Sequence, residues 1–277
     1  MAFQSDIDNI SILERNASRL NGLQMEEARK MLAQYRMAKE ELKLQMLSNS
    51  PTNEYTEAKL KNTLAQIDVA IASLRVRTGK RAKEGFEFLS DQGLEDSVRE
   101  MDSFDKYFGG GFGKLPYDAI IESTDPEQLL FNQYDSSVNM YSMGLRNAFQ
   151  QTLTQSLIQQ KTWSQAVWDM EQVFDMEEWK LARIVRTELH GIYNNSKMNG
   201  FMTIQEDYIP DLKKTLYNPM DSRTAEDSMY VESLHLVVPL DQPFRYKWKG
   251  REYVFMVPPA RPNDRAILIP YRPSFDK

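Results

Sequence analysis

Cysteine is absent from the 277-residue chain. That excludes disulfides, thiolate nucleophiles and Cys-ligated zinc or iron–sulfur centres, and it suits a reducing compartment. Histidine is nearly absent: His190 and His235 stand far apart in sequence, and neither belongs to a spacing such as HExxH that sets two ligands on one helix face. No metal site and no cofactor are expected. Glycine and proline number only 12 each, which rules out collagen-like and low-complexity chains. No run reaches the roughly twenty apolar residues needed to cross a bilayer as a helix, so no membrane span is expected. The opening segment MAFQSDIDNISILERNASRL is acidic and polar where a secretory leader has a basic head and an apolar stretch, so export is not expected. Positive charge is also short, with 34 Lys and Arg against 40 Asp and Glu, a net charge of −6. A bulk nucleic-acid binder needs clustered cations to displace counterions from phosphates, and the chain as a whole lacks them. The exception is the segment 241–277, which is net basic and suited to an electrostatically steered contact.

What the chain has in quantity is helical periodicity. Ile10, Leu13, Ala17 and Leu20 recur at three and four, Asn21-Gly22 is expected to interrupt, and Ala28, Leu32, Tyr35, Ala38 and Leu42 resume the stripe. Ser50-Pro51 is expected to cap the next helix, whose Leu60, Leu64, Ile67, Ile71 and Leu74 follow a 4-3-4-3 heptad-like spacing up to Gly79. Residues 1–79 therefore read as a long amphipathic helical hairpin. Its narrow seam at Leu60, Leu64, Ile67, Ile71 and Leu74 needs a partner helix, from this chain or another, and so reads as a docking surface. Residues 80–135 read as a linker with a Gly-rich hinge at 109–113. A phosphate loop is excluded there, because Phe108 and Leu115 occupy the positions that require Gly and Ser or Thr.

Residues 136–277 read as a small α+β domain. A Gln-rich helix extends to about residue 160, Thr162 can cap a helix carrying Trp163, Val167, Met170 and Phe174, and a further helix places Trp179, Ala182, Val185, Leu189 and Ile192 on one face. Arg183, Arg186, His190 and Asn194 fall on another. Short β-rich runs follow at 234–238, 245–248, 253–257 and 266–269, with Lys249-Gly250 as a hairpin turn. The fold class is α+β, helices first and a short antiparallel sheet last.

Three polar clusters pair acids with bases: Arg186-Thr187-Glu188, Asp221-Ser222-Arg223-Thr224 and Asn263-Asp264-Arg265. Guanidinium groups grip carboxylates through two parallel hydrogen bonds, so these clusters can fix irregular loops against a sheet. The competing reading makes Glu188 or Asp221 a general acid or base of a transferase or an enzyme of nucleotide or nucleic-acid metabolism, with Arg186 steadying an anionic substrate. That reading has no nucleophile. The Phe244–Phe255 stretch alternates aromatic and basic residues, as in a single-stranded nucleic-acid platform, or equally as in a sheet with one wet and one buried face.

The order of these pieces resembles the C-terminal domain of the Mu F-like minor head proteins of tailed bacteriophages, the phage head morphogenesis family. ARIVRTELHGIYNNSK resembles the family's helix with Arg-Thr-Glu; KKTLYNPMDSRTAEDS its Lys-rich, Asp-x-Arg-Thr segment; VPLDQPFRYKWKG its Pro-and-Phe strand entry; and RPNDRAILIPYRP its closing Asn-x-Arg motif. The likeness covers about residues 150–272. Asp227, Ala266 and Tyr217 stand where many relatives carry His, Cys and Trp, so no metal or redox role carries over. By this resemblance Arg186, Thr187, Glu188, Asp221, Arg223, Thr224, Asn263, Asp264 and Arg265 form a structural framework and not a catalytic set. The resemblance further implies a virion protein of the head, near the portal vertex, assembled in the host cytoplasm. Its implied partners are the portal or major capsid protein and other copies of itself, with the basic C-terminal segment able to meet packaged DNA. An internal protein ejected with the genome is the further alternative.

Overall fold

A computed structural model describes residues 11–48, 54–108, 115–122 and 127–276. The α+β class holds: long helices come first and a small antiparallel sheet comes last. The helices are α1 (Ser11–Ser48), α2 (Glu57–Phe108), α3 (Tyr117–Glu122), α4 (Glu127–Ile158), α5 (Trp163–Asp207) and α6 (Glu226–Ser233). The strands are β1 (Lys213–Tyr217), β2 (Val238–Pro239), β3 (Phe244–Trp248), β4 (Arg251–Phe255) and β5 (Ile267–Tyr271), and a 3-10 turn at Pro273–Asp276 closes the described chain.

Two expected helix breaks do not occur. Gly22 lies inside α1 and Gly79 inside α2. A helical glycine costs only about 1 kcal/mol relative to alanine, and the buried face runs past both, through Leu20 and Gln24 in α1 and through Leu74, Thr78, Ala82 and Phe86 in α2. The expected linker is likewise corrected: residues 80–108 are helical and bury Leu89, Leu94, Val98, Met101 and Phe104. The hinge at 109–113 and the Ser50-Pro51 cap lie outside the described residues. At the start of α2, Thr56 Oγ1 accepts from Lys59 N instead.

The chain forms two compact units, each drawing on segments from both sides of the expected boundaries at 79 and 136. One unit comprises Glu26–Gly85 and Phe131–Val185 and is made of parts of α1, α2, α4 and α5. Its core centres on Tyr35, Phe174 and Phe149, whose rings pack at centroid distances of 5.5 and 4.7 Å. Three large side chains turn their buried polar atoms to backbone carbonyls: Tyr35 OH donates to Phe174 O, Tyr55 OH to Leu153 O, and Trp163 Nε1 to Met46 O. Thr162 caps α5 as expected, in a capping box. Its Oγ1 accepts from Gln165 N, and Gln165 Oε1 accepts from Thr162 N. Of the heptad seam, Ile67 and Leu74 are buried inside this unit and Leu60, Leu64 and Ile71 are half-buried, so the seam turns inward.

The other unit comprises Met1–Met25, Phe86–Leu130 and Arg186–Lys277. Within it α2 and α5 approach closely at glycines. A Cβ on Gly93 would collide with Tyr193 O, and one on Gly200 would collide with Ser97 Oγ and lie 2.9 Å from Leu94 Cδ1. The sheet order is β2-β1-β5, all antiparallel, with Lys213 opposite Tyr271 and Tyr217 opposite Ile267. Strand β1 was not expected, and the expected run 234–238 keeps only Val238 in a strand. Strands β3 and β4 form the expected hairpin, turned by Lys249 and Gly250 at φ 47° and 80°, with Tyr246 stacked on Tyr253. Phe275 in the 3-10 turn stacks on Phe104 and Phe108.

Candidate functional site

A cleft of about 240 Å³ opens in the sheet-bearing unit between the first turns of α1 and the ends of β1 and β5. Gln24 and His190 line it together with Glu14, Asn21, Tyr217 and the segment 219–221; Asp221, Arg223 and Arg265 also line it. Two of the three sequence-predicted clusters meet here.

Arg265 forks onto Asp221, with Nη1 to Oδ2 at 2.9 Å and Nη2 to Oδ1 at 2.7 Å. Arg223 adds its backbone N to Oδ1 at 2.8 Å, which makes an Asx turn, and its Nη2 to Oδ2 at 3.0 Å. Thr224 Oγ1 donates to Pro219 O and accepts from Asp221 N and from Arg265 Nη2. The result is a latch between the loop after β1 and the residue pair before β5. The hydrogen bonds from Arg265 and then from Arg223 hold the Asp221 carboxyl well below the usual carboxylate range. A carboxylate so held is a poor general base at neutral pH.

His190 sits at the cleft with both ring nitrogens occupied. Gln24 Nε2 lies 2.8 Å from Nδ1, and Nε2 lies 2.6 Å from Ala266 O. A carbonyl can only accept, so Nε2 carries the proton and Nδ1 accepts from the Gln24 amide. Burial is the main force lowering the imidazole's pKa, against the opposing pull of Asp264. One turn on, Asn194 extends the same line: its Oδ1 accepts from Leu268 N and its Nδ2 donates to His190 O. Two polar side chains of α5 thereby satisfy the backbone beside and within β5.

The remaining predicted residues lie elsewhere. Asp264 accepts from the backbone N of Ala260 and of Ala266, fixing the bend before β5, while Asn263 is exposed at φ 62°. Arg186, Thr187 and Glu188 are half-buried on α5 and do not line the cleft; the Nε of Arg186 is buried without a hydrogen-bond partner among the described residues. Sequence reasoning missed three features. Asp227 is gripped by Arg261, whose hydrogen bonds lower the carboxyl's pKa. Lys214 is buried and donates to Leu240 O and Met256 O at 2.9 Å each, and burial pulls its ammonium down to about 8. Gln24 was also missed, although its place four residues from both Leu20 and Ala28 on a buried stripe signals a buried polar contact.

Chemically, the cleft holds an ionised carboxylate bonded by two guanidiniums and a neutral imidazole with both nitrogens engaged. Such groups fasten loops to a sheet; they do not present a base or a nucleophile to a substrate. No family profile, no curated protein and no solved structure matches the chain.

Proposed function

We propose that the chain is a minor head protein of a tailed bacteriophage, a virion structural component that works in head morphogenesis. The observation that supports this reading best is the Asp221–Arg265 fork. It joins two of the segments on which the resemblance rests, and it does so as a latch in which the Asp221 carboxylate is taken up by hydrogen bonds from Arg265 and Arg223. The Asp221, Arg223, Thr224 and Arg265 side chains then act as framework, which is the role the resemblance implies for them. Long helices with apolar residues left on outward faces suit a protein that assembles with others. No helix among the described residues is long and apolar enough to cross a membrane.

On this reading the protein sits in the head near the portal vertex and contacts the portal or major capsid protein. It is assembled in the host cytoplasm and helps DNA packaging or release. The net basic segment 241–277 faces packaged DNA or an acidic protein surface.

The test is genetic. Inactivating the coding sequence in the phage or prophage that carries it should yield lysates with aberrant, DNA-free or non-infectious heads by electron microscopy and nuclease protection. Normal titre and normal particles would overturn the reading and return attention to an enzyme built around Arg186 and Glu188. Glu188→Gln should then abolish an activity without altering the fold.

A further inference from the structure

Asn16 of α1, Glu100 of α2 and Lys197 of α5 come together inside the sheet-bearing unit. Lys197 and Glu100 are fully buried, and Asn16 is 6% exposed. The two oxygens of Glu100 are divided between two different nitrogens: Lys197 Nζ lies 2.6 Å from Oε2, and Asn16 Nδ2 lies 2.9 Å from Oε1. One buried carboxylate thus holds a primary amine and a carboxamide at once.

The surroundings do little for the charges. An ammonium has three hydrogens to place. Among the described residues Lys197 Nζ has one oxygen acceptor, Glu100 Oε2, and otherwise meets the rings of Tyr193 and Phe201, 5.5 and 5.9 Å from their centroids. A buried ion pair with so few hydrogen bonds carries a desolvation cost that its own attraction offsets poorly. Burial pushes the Glu100 carboxyl up toward its protonated form, and the proton within reach is the one on Nζ. Passing it across leaves an unprotonated amine, a nucleophile, near a carboxamide. The other acid at this place, Asp96, accepts from Tyr193 OH and from Arg19, so its oxygens are engaged.

We propose that Lys197 and Asn16 join in an intramolecular isopeptide bond, which the protein forms on itself with Glu100 as the proton carrier. Nζ attacks Asn16 Cγ; the Nζ–Cγ bond forms and the Cγ–Nδ2 bond breaks. Of the protons on the Lys197 ammonium, one stays in the new amide. The other two pass through Glu100, taken up at Oε2 and delivered from Oε1 to the departing Nδ2, which leaves as ammonium. Glu100 ends as the carboxylate it was at the start, and no oxidant is consumed. Holding amine and amide on one carboxylate replaces an encounter in water by a step between neighbours.

The bond ties α1 to α5 and closes a loop over most of the chain. A disulfide does this in other proteins, and a chain without cysteine has no such recourse. Until the bond forms, the contacts are those of the buried ion pair, and replacing either partner acts on them as such. The three residues carry the proposal by themselves, so it stands or falls apart from the phage reading.

The experiment uses the full chain, held at neutral pH for several days, then denatured and weighed by electrospray mass spectrometry. The wild-type mass should lie about 17 Da below that of the sequence, the loss of one ammonia. Trypsin should fail to cut after Lys197, and residues 187–213 should appear joined to residues 16–19. Lys197→Arg keeps a cation opposite Glu100, Asn16→Leu keeps the volume and Glu100→Gln keeps the shape. Each variant, with circular dichroism unchanged, should show its full sequence mass. A wild-type chain at full mass overturns the proposal, and that result needs no variant to fold. So does a loss that the peptide map places at Asn21-Gly22 or Asn199-Gly200, where a succinimide forms with the same change in mass. A loss of about 18 Da that joins Lys197 to Glu100 also overturns it, and a cross-link that persists in Glu100→Gln overturns the role given to Glu100.

Discussion

Lys197 donates from Nζ to Glu100 Oε2 at 2.6 Å, and neither side chain reaches solvent. Asn16 donates to the other carboxylate oxygen at 2.9 Å. Alongside, Asp96 takes Tyr193 OH at 2.6 Å and the guanidinium of Arg19. These polar groups join the first turns of α1 to α2 and α5 inside the sheet-bearing unit. Burial pushes the Glu100 carboxyl up, while Lys197 and Asn16 pull it back.

Breaking this pair on one side should be costly. Lys197→Met or Glu100→Leu leaves the opposite charge buried and unpaired, and about 3–5 kcal/mol of unfolding free energy should be lost in denaturant titrations. The double replacement should recover most of that loss, because it removes both charges and keeps apolar volume. If each single variant loses less than about 1 kcal/mol, the pair is not the fastening described.

The glycine contacts are as specific. Gly93→Ala places a methyl group against the Tyr193 carbonyl, which is backbone and cannot rotate away. Gly200→Ala meets the Ser97 hydroxyl and Leu94, which can adjust in part. Gly93→Ala should therefore destabilise the protein by about 1–3 kcal/mol or more, and Gly200→Ala by less. Thermal melts of the two variants check the order. Gly22→Ala, with open space around its Cβ position, should be neutral or slightly stabilising.

Lys214 makes stability depend on alkaline pH in an unusual direction. Its folded pKa of about 8 lies below the roughly 10.4 of an exposed lysine. Between those values the unfolded chain holds a proton that the folded chain has released, so this residue's contribution rises with pH. Denaturant titrations at pH 7.5 and pH 10 should show wild-type stability gaining on Lys214→Met. The variant should be less stable at both, since Leu240 O and Met256 O lose their donor. An unchanged difference between the two proteins at both pH values contradicts this account.

His190 should appear in imidazole ¹⁵N spectra as the Nε2–H tautomer and take up its second proton only below the ordinary imidazole range. Its burial lowers its affinity for a proton, and Nδ1 is already accepting from Gln24. An ordinary titration near 6.5 would contradict the assignment.

The helices were legible because their apolar stripes repeat over many turns, as through Ile67 and Leu74. The helix ends were less so: Gly22 and Gly79 look like stops, yet a glycine with a continuing buried face on both sides does not end a helix. The same arithmetic misplaced Trp179, grouped on one face with Val185, Leu189 and Ile192 but exposed where they are buried, with Arg183 over its ring; the core line passes through Leu181 instead. Strand β1 was invisible because it opens with two lysines, and nothing in the local pattern tells that Lys214 is buried by β5, Leu240 and Met256. At the cleft, the Asp221–Arg265 contact could be suspected from residue type alone. The pairing of Gln24 with His190 joins residues far apart in sequence, and no local spacing encodes it.

The central claim is that this chain is a fixed structural component of a phage head. Quantitative mass spectrometry of purified particles, before and after genome release, tests it most directly. The account predicts a small, constant number of copies per particle, retained in the emptied heads. Absence from particles would contradict it, and loss together with the DNA would assign the chain to the ejected class instead.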